Sequence, residues 1–238
     1  MRRWFDWLRF HARRKTRRNE KWLVDYQRVL SSADTKSRFD AIYRERIWSR
    51  IGQTSETESG AGSTLKASAV FRKEIERYLA GLPPGVFFDA PCGDFNVMGN
   101  VNLPPDWQYL GADIAPSLIA DLRRKYPGRR FQECDITSDP FPDASVWLCR
   151  ACLFHLSFAD IRKALANFSR SNIALALITT HVGVEQNLDI VTGDYRPLDL
   201  TLPPINLPKP RTILKDVTSQ TPIQVVGVWR RQEIASTQ

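Results

Sequence analysis

Short apolar runs alternate with segments of helical period through the middle of the chain. The apolar runs predict five strands, at residues 86–88, 107–114, 131–136, 145–150 and 172–181. Pro116 lies in the first turn of one intervening helix, where proline is favoured, and Ser157 with Asp160 resembles a capping box at the start of another. Strands that alternate with helices predict an α/β fold with a mostly parallel sheet.

The segments on either side of this region differ from it. Helices are predicted before the sheet at residues 38–51 and 65–82, separated by a polar loop. Residues 183–210 contain five prolines and no helical period, which predicts a long loop, and loops of this length are usually functional. Residues 211–217 and 222–230 are predicted to pair as antiparallel strands. The chain therefore divides into a basic aromatic segment (1–24), a helical region with a covering loop (25–82) and a core (83–238).

The first three predicted strands lead into acidic residues, Asp89, Asp113 and Asp135, spaced 24 and 22 positions apart. Any one of them could simply cap the following helix. In open α/β sheets, however, ligands bind beyond the carboxyl ends of the strands, and an acid about 20 residues past the first turn binds a ribose hydroxyl. The first turn holds Gly93 and a second acid, Asp94. Two carboxylates there suit S-adenosylmethionine, which has hydroxyls and cationic groups, better than a pyrophosphate.

The positive charge is concentrated near the N-terminus. The formal charge of the chain is +8, and residues 1–21 alone have nine Lys/Arg against two acids. Such a segment is suited to an anionic membrane interface, although a disordered arm or a helix packed on the domain would also account for it. The remainder is almost neutral, so no nucleic-acid partner is expected. The apolar side chains of this segment are Trp4, Phe5, Trp7, Leu8 and Phe10.

The cysteines and the apolar runs exclude several other classes. Cys149 and Cys152 form a lone Cys-x-x-Cys without the further ligands that zinc needs, so no metal is predicted and all four thiols are expected to be reduced. The longest aliphatic run, residues 173–178, is too short to span a membrane. Asp6 and Arg9 interrupt any secretory signal. We expect a cytoplasmic protein, with peripheral attachment to anionic membranes through residues 1–21 as a further hypothesis.

Four segments together resemble class I S-adenosylmethionine-dependent methyltransferases, more narrowly a bacterial and viral group of them. The resemblance extends over residues 42–229 and implies a Rossmann-like seven-stranded sheet, mostly parallel with an antiparallel C-terminal strand and helices on both faces. One position departs from the pattern, because Ala151 stands where an acid is expected after Arg150. The four segments are Ser59–Thr64, Asp89–Phe95, Arg150–Leu156 and Thr192–Arg196.

The resemblance and the spacing imply roles at the cofactor. Asp113 is expected to bind the ribose hydroxyls, and Asp135 and Ile136 to flank the adenine. Ser63 and Thr64 are expected to close over the methionine carboxylate. The residues expected around the methionine and sulfonium end are Asp89, Gly93 and Asp94, and Pro91 and Ile114 complete the expected cofactor site.

A hydroxyl acceptor also needs a base, because its proton must leave as the bond to carbon forms. His155 is the first candidate and His181 the second, although either could be a core histidine bonded to backbone. Arg150 could equally orient a substrate or pair with Asp89. Tyr195 and Arg196 could cover a sugar acceptor, or could equally serve ordinary loop packing.

The leading hypothesis is a methyltransferase that acts on a hydroxyl of a sugar, a glycan or another small molecule. A protein that binds S-adenosylmethionine without catalysis is the alternative that Ala151 suggests. A nicotinamide-dependent oxidoreductase is disfavoured, because no Gly-x-Gly-x-x-Gly follows the first strand.

Overall fold

A computed structural model describes residues 18–32, 34–216 and 222–237, with only the backbone of residues 18–21. Its sheet has seven strands in the order β3-β2-β1-β4-β5-β7-β6. β7 is antiparallel to both of its neighbours, and the other pairs are parallel. The predicted fold class and the predicted antiparallel C-terminal pair are therefore confirmed. The strands are β1 (Val86–Asp89), β2 (Gln108–Asp113), β3 (Arg130–Glu133), β4 (Val146–Cys149), β5 (Leu175–Val182), β6 (Thr212–Lys215) and β7 (Ile223–Arg230).

Helices cover both faces of the sheet. The predicted helix at 38–51 is two helices, because Arg46 adopts φ = 54° and ends the first of them. The helix predicted from residue 65 begins only at Ala69, after a turn at residues 65–68. The helices are α1 (Arg18–Leu30), α2 (Thr35–Arg44), α3 (Ile47–Ile51), α4 (Ala69–Ala80), α5 (Pro116–Lys125), α6 (Phe158–Arg170) and α7 (Arg231–Ala235).

The sheet separates two hydrophobic cores. Because neighbouring side chains of a strand point to opposite faces, Phe88 packs with α1–α3, α6 and α7, and Phe87 packs with α4 and α5. Both phenylalanines are fully buried, as are Trp147 and Leu148 of β4. Burial on both faces explains the nearly continuous apolar runs of the parallel strands.

The strand order reverses between β1 and β4, which opens a crevice at the carboxyl edge of the sheet. The predicted loop at 183–210 contains no helix or strand, and it packs through Leu198 and Leu200. Most of the basic N-terminal segment lies outside the described residues. Within the part of the chain that the structure describes, no helix is long and apolar enough to span a membrane.

Candidate active site

A cavity of about 690 Å³ lies at this crevice. Its wall combines the ends of the strands, the N-terminal helices and the loop at 183–210. Three of the sequence-predicted site residues, Thr64, His181 and Arg196, are not part of this wall. The predicted residues that line it are Ser63, Asp89, Pro91, Gly93, Asp94, Asp113, Ile114, Asp135, Ile136, Arg150, His155 and Tyr195.

The first turn brings the backbone close to the cavity. Gly93 has φ = 55°, and a Cβ added there would lie 2.5 Å from the Ser59 hydroxyl, so only glycine fits. Asp89, at the end of β1, is buried and accepts a hydrogen bond of 2.7 Å from the Tyr109 hydroxyl. Burial raises the pKa of Asp89 to about 7. The turn therefore presents open backbone beside a carboxyl that is partly protonated at neutral pH.

Asp113, at the end of β2, ties the first turn to the start of α5. One carboxylate oxygen accepts from the Gly93 N–H at 3.2 Å, and the other accepts from the Ala115 N–H at 3.1 Å. Burial raises the pKa of Asp113 to about 6. A carboxylate can accept about four hydrogen bonds, so both oxygens retain capacity for a ligand hydroxyl.

Asp94 fastens a loop across the mouth of the first turn. Its carboxylate accepts from the Thr57 hydroxyl at 2.7 Å, the Glu58 N–H at 2.6 Å and the Ser59 hydroxyl at 3.0 Å. The Asp94 carboxylate is thus hydrogen-bonded to the loop that precedes Gly60. Its expected contact with the cofactor stays a prediction. Sequence reasoning did not identify Thr57 or Ser59.

The third acid lies beyond the end of β3. Asp135 accepts from the backbone N–H and the hydroxyl of Thr137, at 2.8 and 2.7 Å through one oxygen. Asn167 of α6 donates to the Ile136 carbonyl at 3.0 Å and so supports the segment from behind. Asp135, Ile136 and Ile114 all line the cavity, which places an acid among apolar side chains.

Arg150 forms a buried ion pair, and its partner is Asp216 rather than Asp89. Its Nη2 lies 2.7 Å from the Asp216 carboxylate and donates to the Gly62 carbonyl at 3.0 Å. Gln224 donates to the other oxygen of Asp216 at 2.8 Å. Arg150 therefore braces the glycine-containing loop at 59–64, a role that its position after β4 did not reveal.

His155 is held as a neutral imidazole with a defined tautomer. Its Nδ1 lies 2.7 Å from the Asp194 backbone carbonyl, which can only accept, so Nδ1 carries the proton and Nε2 has the lone pair. The ring stacks on Trp48, with centroids 4.7 Å apart and planes at 26°. Burial lowers the pKa of His155 to about 4. A neutral imidazole with a lone pair on Nε2 can accept a proton.

The three predicted residues outside the wall make backbone contacts. His181 is buried behind Phe154, with ring centroids 5.2 Å apart, and its Nδ1 accepts from the Leu198 N–H at 3.2 Å. Arg196 donates to the Leu153 and Leu156 carbonyls at 3.1 and 2.8 Å. Their expected roles in catalysis and acceptor binding remain predictions. Thr64 donates to the Ala61 carbonyl and accepts from the Ala67 N–H.

Aromatic side chains predominate in the part of the wall around the neutral His155 ring. Sequence reasoning did not assign the four aromatic residues of α1–α3 to the site. In the sequence these residues are recognisable only as apolar side chains on short helices, and residues of the hydrophobic core have the same character. The side chains of this region are Trp22, Tyr26, Phe39, Trp48, Ile51, Leu156, Tyr195 and Pro197.

Parts of this chain resemble known proteins. Residues 89–172, about a third of the chain, match the family model described as a methyltransferase domain. A demethylmenaquinone methyltransferase of Thermus thermophilus is 37% identical over 70 residues, which cover 28% of this chain. The aligned stretch spans 32% of that relative.

Two solved structures resemble the whole fold. Magnesium protoporphyrin IX methyltransferase from Synechocystis PCC 6803, with bound S-adenosylmethionine, has a TM-score of 0.56 at 13% identity and covers 84% of this chain and 99% of its own. The 1,6-didemethyltoxoflavin-N1-methyltransferase of Burkholderia thailandensis has a TM-score of 0.53 at 16% identity. The match covers 87% of this chain and 89% of that protein. Residues 89–172 therefore resemble a methyltransferase domain, and the fold as a whole resembles that of the two solved methyltransferases.

Proposed function

We propose that the protein transfers a methyl group from S-adenosylmethionine to a hydroxyl oxygen of a sugar or glycan. The observation that carries this proposal is the convergence of three strand-end acids and one neutral histidine on a single cavity. The acids would bind the cofactor, and the histidine would accept the proton that a hydroxyl acceptor must lose.

The described residues fit the cofactor. Asp113 would accept from the ribose hydroxyls with its remaining lone pairs, and Asp135 with Ile136 would hold the adenine. Asp89 would face the cationic methionine end, where a positive charge favours its ionised form. Gly93 lets the turn lie against the Ser59 hydroxyl, where a Cβ would clash. When bound, the cofactor supplies a methyl carbon that is already activated, so the protein mainly has to position the reactants and exclude water.

His155 would take the proton of the acceptor hydroxyl. Nε2 has the lone pair, and the bond from Nδ1 to the Asp194 carbonyl holds the ring in one orientation. Burial keeps the imidazole neutral, so the base is in its active form at neutral pH. The aromatic side chains around it keep water from the reacting oxygen.

The wall around His155 supports the proposed acceptor class. Its aromatic faces suit the C–H face of a sugar ring, and the uncharged side chains named above for this region suit a neutral acceptor. Incubation of the protein with labelled S-adenosylmethionine and glycan fractions tests the proposal. We expect a labelled product heavier by one methylene group. Cofactor binding without transfer to any fraction would instead favour a binding protein that does not catalyse.

The first prediction concerns cofactor affinity. We expect S-adenosylmethionine to bind and NAD not to bind. Asp113→Ala should weaken the binding of S-adenosylmethionine by about 1–3 kcal/mol, because the ribose loses charge-assisted hydrogen bonds. Isothermal calorimetry measures both. Asp121→Ala is the matched control, since Asp121 is an exposed acid on α5. A folded Asp113→Ala protein with unchanged affinity would remove Asp113 from the site.

A second prediction concerns the basic N-terminal segment, for which we propose peripheral attachment to anionic membranes. Each Lys or Arg near such a surface contributes about 1 kcal/mol, and salt weakens the attraction. In a vesicle flotation assay at low salt, the full chain should rise with anionic vesicles and a chain beginning at Val24 should not. Equal behaviour of the two proteins would contradict the membrane role.

A further inference from the structure

We propose that Tyr26 of α1 is a positioning residue, which fixes the tautomer and orientation of His155 through the backbone of Gly193 and Asp194. The inference rests on the proposed function for the role of His155 as the base. It goes further, because α1, which comes before the sheet in the chain, then contributes to the catalytic arrangement.

The contacts form a continuous path from Tyr26 to the imidazole. The Tyr26 hydroxyl donates to the Gly193 carbonyl at 2.9 Å and lies 3.3 Å from the Asp194 carboxylate. The Gly193 N–H donates to the backbone carbonyl of His155 at 2.7 Å. The next carbonyl, that of Asp194, accepts from Nδ1 of the same histidine at 2.7 Å. Two consecutive residues of one loop therefore hold both the backbone and the ring of His155.

The loop can hold this shape only if it is anchored from the side of α1 and α2. Gly193 has φ = 100°, and a Cβ added there would lie 2.7 Å from Cδ of Arg38. Arg38 in turn donates to the Thr192 carbonyl at 2.6 Å. Arg38 and Tyr26 thus bind the consecutive carbonyls of Thr192 and Gly193. Only Tyr26 of these two also contacts Asp194, whose backbone carbonyl accepts from His155.

This arrangement sets a chemical state as well as a shape. A histidine in water prefers the tautomer with its proton on Nε2, which leaves no lone pair there. The Asp194 carbonyl reverses this preference by accepting from Nδ1. If the carbonyl turns away, the proton can move to Nε2 and the base loses its acceptor atom.

Tyr26→Phe tests the proposal, because it removes the hydroxyl and keeps the ring that lines the cavity. Nitrogen-15 NMR of selectively labelled protein reports the tautomer of His155 directly, without any assay of activity. We expect the Nδ1–H form in the wild type and a substantial Nε2–H population in Tyr26→Phe. We expect kcat to fall about 10- to 100-fold while the Kd of S-adenosylmethionine changes less than about twofold. Tyr78→Phe is the matched control, because Tyr78 lies on α4 outside the cavity wall.

The outcomes are distinguishable. If Tyr26→Phe keeps the Nδ1–H tautomer and matches Tyr78→Phe in kcat, the positioning role is wrong. If the tautomer shifts but the wild type transfers no methyl group to any acceptor, the positioning role stands and the proposed function fails. A fall in thermal stability with an unchanged tautomer would make Tyr26 purely structural and would also overturn the proposal.

Discussion

His155→Ala should lower the methyl-transfer rate by about 10²-fold or more and leave the affinity for S-adenosylmethionine nearly unchanged. The reason is that a general base acts on the acceptor proton in the transition state and does not contact the bound cofactor. Single-turnover transfer measures the rate, and calorimetry measures the affinity. Because burial lowers the pKa of His155 to about 4, its contribution should be nearly complete at about pH 5, halved at about pH 4 and lost below that.

His181→Gln is the comparison for this prediction. His181 is buried outside the cavity wall, so its replacement should reduce stability rather than the rate of the folded enzyme. Equal losses of rate and cofactor affinity in His155→Ala would make His155 structural. A harmless His155→Ala together with an inactive, folded His181→Gln would move the base to His181.

Asp89→Asn should make the ligand-free protein more stable and the cofactor complex much weaker. Burial raises the pKa of Asp89 from 3.8 to about 7, so the folded state keeps a proton that the unfolded chain loses. Stability therefore falls as the pH rises from about 4 to about 7, and is constant above. Because a tenfold change in proton affinity is worth 1.36 kcal/mol, removing the titration should raise the free energy of unfolding by up to about 4 kcal/mol at pH 8. Asparagine keeps the shape and can still accept from Tyr109.

The same substitution should weaken the affinity for S-adenosylmethionine about 10- to 150-fold, because the cationic end of the cofactor loses its carboxylate partner. Chemical denaturation at pH 4 and pH 8 measures the stability, and calorimetry measures the affinity. Asp121→Asn controls for the change of charge, because Asp121 is an exposed acid on α5. An Asp89→Asn protein that is less stable than the wild type at pH 8, or that binds as tightly, would contradict the assignment of Asp89.

The fold could be predicted because its signals are local. The period of about 22 residues between strand-end acids reflects repeated strand–helix units, and the proline at the start of α5 fixes that boundary. Continuous apolar runs mark strands that are buried on both faces. The methyltransferase hypothesis came from four segments, among them the turn at Asp89–Phe95, and residues 89–172 match a methyltransferase-domain model.

The details of the site could not be predicted because they depend on contacts between distant segments. The role of Asp94 at the cofactor stays a prediction, and no spacing rule relates it to residues 57–59, to which it is bonded. The role of Arg196 at an acceptor also stays a prediction, and the two carbonyls that its guanidinium binds belong to a distant segment. The break at Arg46, where φ is 54°, is not encoded by the helical period.

The contact between Tyr26 and Gly193 joins residues 167 positions apart in the chain. Closing so long a loop costs conformational entropy, and contacts of this separation generally form late in folding. The strand-end acids, by contrast, come from neighbouring strands and take their places as soon as those strands pair. A partly folded chain with its sheet assembled would thus have the cofactor edge in place while His155 was not yet oriented. Catalytic competence would then be among the last properties that the chain acquires as it folds.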